Sequence, residues 1–311
     1  MRKILLALTG LCGTAPFDMA MAAPATITLP DKNVFPESMT ATPDNVVIVG
    51  SMLQPYIYRA MPGQTVAERW IDLTSVGSTS WGVLADVKSN TLWTCTVAHP
   101  LTDTMTPPIK ERHSALRAFD LKSGAAKASY PLLGDTNACN DITVAPDGTV
   151  YVSDLANGQI QRLKKGAAAL DVWSKTPESA NIDGITFLGP VLYFSNVQTG
   201  HIYRLPIGAD GAAGAPVDIA LPQPLGGPDG VRAWNGKLYV AENRTNQVSE
   251  LTITGDSAMV KVLKGGFQTA TGVAPTRDTV WVEESKQNYW RAPLLGSDPN
   301  PFIIQPVAMP K

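Results

Sequence analysis

Residues 140 to 163 run through three short apolar–polar segments separated by turn residues. In Asn140 to Ala145, Ile142 and Val144 alternate with polar neighbours, which predicts a strand. Pro146-Asp147-Gly148 then has turn chemistry, because Pro presets φ and Gly accepts a positive φ. Thr149 to Ser153 is β-branched and aromatic, a second strand, and Ala156-Asn157-Gly158 turns the chain into a third, Gln159 to Leu163. A meander this short cannot bury its own faces, so related segments are expected elsewhere.

They recur. Asp183-Gly184-Ile185 leads into Val191 to Asn196 and His201 to Leu205, and Asp229-Gly230-Val231 into Lys237 to Glu242 and Gln247 to Leu251. Weaker copies begin at Thr271, Trp81 and Glu37. The leading residues are therefore 37, 81, 140, 183, 229 and 271, spaced by 44, 59, 43, 46 and 42 residues. A period in the forties built from four strands predicts an all-β fold, a six-bladed β-propeller of four-stranded antiparallel blades over residues 23–311. Ala25 to Leu29 is expected to pair with the C-terminal strands and close the ring. Asp171 to Trp173, Val217 to Ala220 and Met259 to Val262 are the expected outer strands, and Tyr289-Trp290-Arg291 the third strand of blade six. Tyr151, Tyr193, Tyr239 and Trp281 recur at one register and are assigned to packing between blades.

The first residues break this pattern. Arg2 and Lys3 precede the apolar run Ile4 to Leu11, and Ala20-Met21-Ala22 resembles a cleavage site, so residues 1–22 read as a signal peptide. The mature chain is expected to be exported and soluble, periplasmic or secreted, with no later run long enough to span a bilayer. A formal charge of -2 supplies no basic footprint for nucleic acid. After processing only Cys95 and Cys139 remain; neighbouring blades could bring them together as a disulfide, or they are two separate buried thiols. Two Cys without paired His are too few for a zinc site.

The leading positions carry the candidate chemistry. Strands one and two are antiparallel, so the start of one lies beside the end of the other, and the leading residues crown one end of the channel. There Glu37, Asn140, Asp183 and Asp229 would converge. Three carboxylates that close cannot all stay ionised without a cation, and four hard oxygen donors without thiolate or imidazole select Ca2+ or another hard divalent ion. Polar residues at strand starts also cap turns; four oxygen donors at one register favour the ring. Asp141, Glu242, His99, His113 and His201 fall at the same end as candidate substrate-lining residues, as do Asp154, Asn196 and Glu284; Asp154, Asn196, Glu242 and Glu284 could equally cap their own hairpins. Residues 97 to 113 are too long for a hairpin loop and are expected to form a partial lid.

Glu37-Ser38, Asn140-Asp141 and Pro228-Asp229-Gly230 followed by Gly236 to Ala241 resemble the gluconolactonase/regucalcin/luciferin-regenerating-enzyme family, with diisopropylfluorophosphatase and paraoxonase as distant relatives. The resemblance covers about residues 35 to 290. It implies that Glu37, Asn140, Asp183 and Asp229 surround a divalent cation and that Asp229 is the base or nucleophile. Asp183 stands where the family usually has Asn, which adds a negative charge. Ala138 stands where sugar-lactone members have the Arg that holds substrate oxygens.

The resemblance implies hydrolysis of a lactone or related ester, a small-molecule substrate, with the cation polarising the carbonyl and Asp229 activating water. The alternatives are a non-catalytic binding or scaffold propeller with a structural ion, and a metal-free enzyme resembling strictosidine synthase. No Gly-x-Ser-x-Gly elbow and no phosphate-binding Gly-rich loop is present.

Overall fold

The computed structural model describes residues 24–98 and 113–310. The signal-peptide segment, His99 and most of the expected lid lie outside the described residues. Among the described residues, twenty-four strands form six four-stranded antiparallel sheets. Blade one is β2 to β5 (Met39–Ala41, Val47–Val49, Tyr56–Ala60, Glu68–Asp72). Blade two is β6 to β9 (Ser78–Asp86, Thr91–Ala98, His113–Asp120, Ala126–Pro131), and blade three is β10 to β13 (Cys139–Val144, Val150–Asp154, Gln159–Leu163, Asp171–Lys175). Blade four is β14 to β17 (Ile182–Leu188, Val191–Asn196, His201–Leu205, Val217–Asp218), and blade five is β18 to β21 (Pro228–Trp234, Lys237–Glu242, Gln247–Thr254, Ser257–Gly265). Blade six orders β22 (Ala270–Pro275), β23 (Thr279–Glu284), β24 (Ile303–Ala308) and β1 (Ile27–Thr28) from the axis outward. Pairing of Ile27 with Ile304 and of Thr28 with Ile303 closes the ring as expected.

One strand assignment is corrected. Gln287–Trp290 is a helical turn, and β24 is the third strand of blade six. Trp290 turns inward onto Phe35, with ring centroids 4.8 Å apart, so its apolar character serves a loop and not a ladder.

The turns follow local chemistry. Asn235 and Gly236 both take positive φ, 47° and 79°, the requirement of a type I′ hairpin. The core lies between blades, because each blade covers the next with its second strand. Tyr193 packs with Val231 and Val240, Tyr239 with Val273 and Val282, and Trp281 with Met39 and Val49 across the closure. Cys95 and Cys139 form a disulfide between blades two and three, with Cα atoms 5.1 Å apart. Among the described residues no helix is long and apolar enough to cross a membrane.

Candidate metal centre

In blades two to six the pairing of strands one and two is interrupted at the leading residue. In blade three Cys139 faces Asp154 and Ile142 faces Val152, so Asn140 and Asp141 together oppose Ser153. The same two-against-one bulge contains Trp81-Gly82, Asp183-Gly184, Asp229-Gly230 and Thr271-Gly272. A bulge re-aims a side chain and leaves a backbone group unpaired. Ser153 Oγ meets that need in blade three: it accepts from Asp141 N at 2.9 Å and donates to the Asp183 carbonyl at 2.7 Å. Ser195 does the same between Gly184 N (2.9 Å) and the Asp229 carbonyl (3.3 Å). Adjacent inner strands are so close that a Cβ on Gly184 would collide with the Asp229 carbonyl, and one on Gly82 with that of Asn140.

These bulges bring the candidate ligands together. Asn140 Nδ2 donates to Asp183 Oδ1 at 2.6 Å, and Asp183 is hydrogen-bonded to Asp229. Glu37, Asn140, Asp141, Asp183 and Asp229 line one cavity of about 10 Å3, enough for one water or one small ion. Burial pushes the Asp183 carboxyl up, aided by the charge of Asp141, while the bonds from Asp229 and Asn140 oppose the rise. Burial raises the Asp229 carboxyl well above its ordinary value, reinforced by the charges of Asp183 and Glu37.

The residues fit a hard cation. Asn140 Oδ1 is buried without a hydrogen-bond partner among the described residues, and every converging side chain offers oxygen. Among the described residues no three His, Cys, Asp or Glu gather tightly enough to hold an ion by themselves. Glu37 accepts from Gln287 Nε2 at 3.0 Å.

Three neighbours escaped the sequence reading. Asn243 Nδ2 donates to Asp229 Oδ2 at 2.8 Å. Gln287 opens the helical turn of blade six, and Asn243 directly follows Glu242, at the place Leu155 and Val197 hold after Asp154 and Asn196. Arg232 was detectable, since it is the only charge at a register otherwise filled by Thr40, Leu84, Thr143, Thr186 and Ala274.

The expected substrate wall is not assembled as proposed. Glu242 is buried and caps its own hairpin, accepting from Gly226 N, Thr245, Gln247 and Ser249. Asp154 and Asn196 do likewise in blades three and four, and Glu284 is held by Gln305. His201 is on a third strand, paired with Asp218 at 2.8 Å and stacked on Tyr203, away from the cavity. His113 opens β8 and is exposed. Asp141 reaches the cavity and is paired with Arg232. Larger grooves of about 550 and 610 Å3 lie at the opposite end of the strands, around the Pro146-Asp147-Gly148 turn, far from the carboxylates.

The chain matches no protein-family profile. Among solved structures it is similar to a luciferin-regenerating enzyme (TM-score 0.64, 11% identity, 91% of this chain and 95% of that one). It is also similar to a gluconolactonase from Xanthomonas campestris (0.62, 14%, 92% and 99%). A virginiamycin B lyase from Staphylococcus aureus aligns at 0.60, with 12% identity over 92% and 98%. The first two carry names of the family the sequence resembles. At such identities the likeness establishes the six-bladed fold. Among curated proteins, teneurin-1 of Mus musculus is 26% identical over 163 residues, 49% of this chain and only 6% of that protein's length.

Proposed function

We propose that the protein is an exported, calcium-dependent hydrolase of a lactone or related ester, acting at the Glu37–Asn140–Asp183–Asp229 ring. The supporting observation is the convergence of these oxygen donors from four blades on one ion-sized cavity. Similarity to a gluconolactonase points the same way.

A bound divalent cation would supply Lewis-acid polarisation of the substrate carbonyl. The remaining work falls to the chain. Asp229, in its ionised form, would be the general base: it takes a proton from water as the water oxygen attacks the carbonyl carbon, and returns it to the leaving oxygen as the acyl–oxygen bond breaks. Asn243 holds the Asp229 carboxyl in orientation through Oδ2. Asp183, itself held by Asn140, neighbours the same carboxyl, and Ala138 offers no contact to sugar-acid oxygens.

A second reading, a non-catalytic propeller with a structural ion, is favoured by the cavity itself, which has volume for an ion and none for an ester. Metal analysis of purified protein, followed by a lactone and aryl-ester panel with and without chelator, separates the two. Chelator-sensitive hydrolysis that Asp229→Asn abolishes, with circular dichroism unchanged, supports the hydrolase. Bound ion without hydrolysis supports the second reading.

A further inference from the structure

The fourth position of the inner strands stitches neighbouring blades together. Thr40 Oγ1 accepts from Ala85 N, Thr143 from Phe187 N and Thr186 from Ala233 N, each at 3.2 Å. Arg232 occupies this register in blade five and does something else. Its guanidinium crosses the channel and donates from Nη1 to Asp141 Oδ2 at 2.7 Å and from Nη2 to Asp141 Oδ1 at 2.9 Å. Nη2 also reaches Ser38 Oγ at 3.1 Å and the Val83 carbonyl at 3.3 Å. Blade five is thereby tied to blades one, two and three beneath the ring.

The pair is deeply buried, with side-chain exposures of 9% for Arg232 and 5% for Asp141. Asp141 Oδ2 accepts in addition from Ile185 N at 3.0 Å, so both carboxylate oxygens are engaged. Yet Asp141 lines the same cavity as Asn140, Asp183 and Asp229. In blades two, four, five and six the equivalent position is Gly82, Gly184, Gly230 and Gly272. A carboxylate stands here where four blades have no side chain, and a guanidinium eight strands further along the chain, on β18, is committed to it.

We propose that Arg232 sets the cation affinity of the ring by withholding Asp141, a latent fifth oxygen donor, from the ion. The inference rests on the cation reading given above. A bidentate guanidinium–carboxylate bond is the strongest pairing open to Asp141. An ion drawing Asp141 away would leave the guanidinium buried and unpaired, which is strongly unfavourable. The guanidinium also places a fixed positive charge one carboxylate away from the site. Both effects act in one direction, weakening cation binding relative to a ring with Asp141 free.

The test is calorimetric titration with calcium chloride, after chelator treatment, of the full chain and of Arg232→Met, Asp141→Asn and the double variant, with thermal unfolding in parallel. Arg232→Met is expected to unfold at a lower temperature in chelator and to bind calcium roughly tenfold more tightly, since ligand charge tunes such sites. The double variant recovers the unfolding temperature and loses the gain in affinity. Asp141→Asn alone, which leaves the guanidinium without its counter-charge, binds more weakly than wild type and remains a test if Arg232→Met does not fold. Unchanged affinity in Arg232→Met, tight binding kept by the double variant, or undiminished binding by Asp141→Asn overturns the proposal. Wild-type protein that binds no calcium overturns the cation reading itself, a result distinct from wild-type binding with unresponsive variants.

Discussion

Replacing Asp183 by Asn tests the electrostatics of the ring with little change in shape. Asn keeps an oxygen to accept from Asn140 Nδ2, now at 2.6 Å, and an NH2 that can donate to Asp229. What it removes is a titrating charge. In the folded chain burial pushes Asp183 up to about 7 from an ordinary 3.8. Between those values the folded protein holds a proton that the unfolded chain has lost, so raising the pH favours unfolding. The stability is complete below about pH 4, falls through the window and levels off above about pH 7. At about 1.4 kcal/mol per unit, the ionised Asp183 costs the chelated fold roughly 4 kcal/mol by pH 8. Asp229 and Glu283, both raised chiefly by burial, add to the fall with the same sign.

The assay is urea unfolding at pH 5 and pH 8 in chelator, followed by the fluorescence of the chain's seven Trp. Wild type is expected to be less stable at pH 8, and Asp183→Asn to show a smaller drop and to exceed wild type there. Calcium should reverse the order at pH 8, because the variant has given up a ligand charge. A wild-type protein as stable at pH 8 as at pH 5 in chelator, or a variant with an unchanged drop, refutes the reasoning.

Other expectations follow from packing and cross-linking. Removing the disulfide by Cys95→Ala with Cys139→Ala releases a loop of 44-residue separation, worth about 4 kcal/mol of chain entropy, read from the shift in denaturant midpoint. Gly184→Ala forces a methyl against the Asp229 carbonyl and should lower stability by about 1–3 kcal/mol; a thermal melt matching wild type contradicts this close approach. His201→Ala removes a hydrogen bond to Asp218 whose partners are 39% and 48% exposed, so stability should change by less than about 1 kcal/mol and ester hydrolysis, if found, not at all. A His201→Ala loss of turnover would return that residue to the site.

The repeat was legible because its apolar positions are constrained twice, by the pleat within a blade and by the next blade's face. Tyr151 illustrates this: it meets Trp173 of its own blade at 4.7 Å and Phe187 of the next at 5.5 Å between ring centroids. Blade six misled because Tyr289 and Trp290 are apolar for the sake of Phe35 and the inner core, and their spacing imitates a strand. The polar register Asp154, Asn196 and Glu242 admits two readings in the sequence, substrate wall or hairpin cap, and the structure takes the cap, because carboxylates and amides at hairpin ends are consumed by orphan N–H groups within reach. The bulges could not be read at all. A two-against-one pairing appears only when the partner strand is known, and it is the bulge that turns the leading side chains toward the axis.

The channel's charge balance separates this chain from a generic propeller. Glu37, Asp141, Asp183, Asp229 and Glu283 enter a space served by one guanidinium, that of Arg232. Glu283 stands opposite the Thr271-Gly272 bulge, where the other bulged blades have Cys95, Ser153, Ser195 and Ala241. It is fully buried, and its Oε2 has no hydrogen-bond partner among the described residues. Carboxyls placed so deeply must hold protons or meet a cation. A scaffold that needed only to stand up would fill these positions with the Ser, Ala and Gly that its sister blades use. On the cation reading the acids lower the stability of the ion-free fold in return for affinity, so strength of ion binding and resistance to unfolding in chelator at neutral pH should move in opposite directions across variants of this channel.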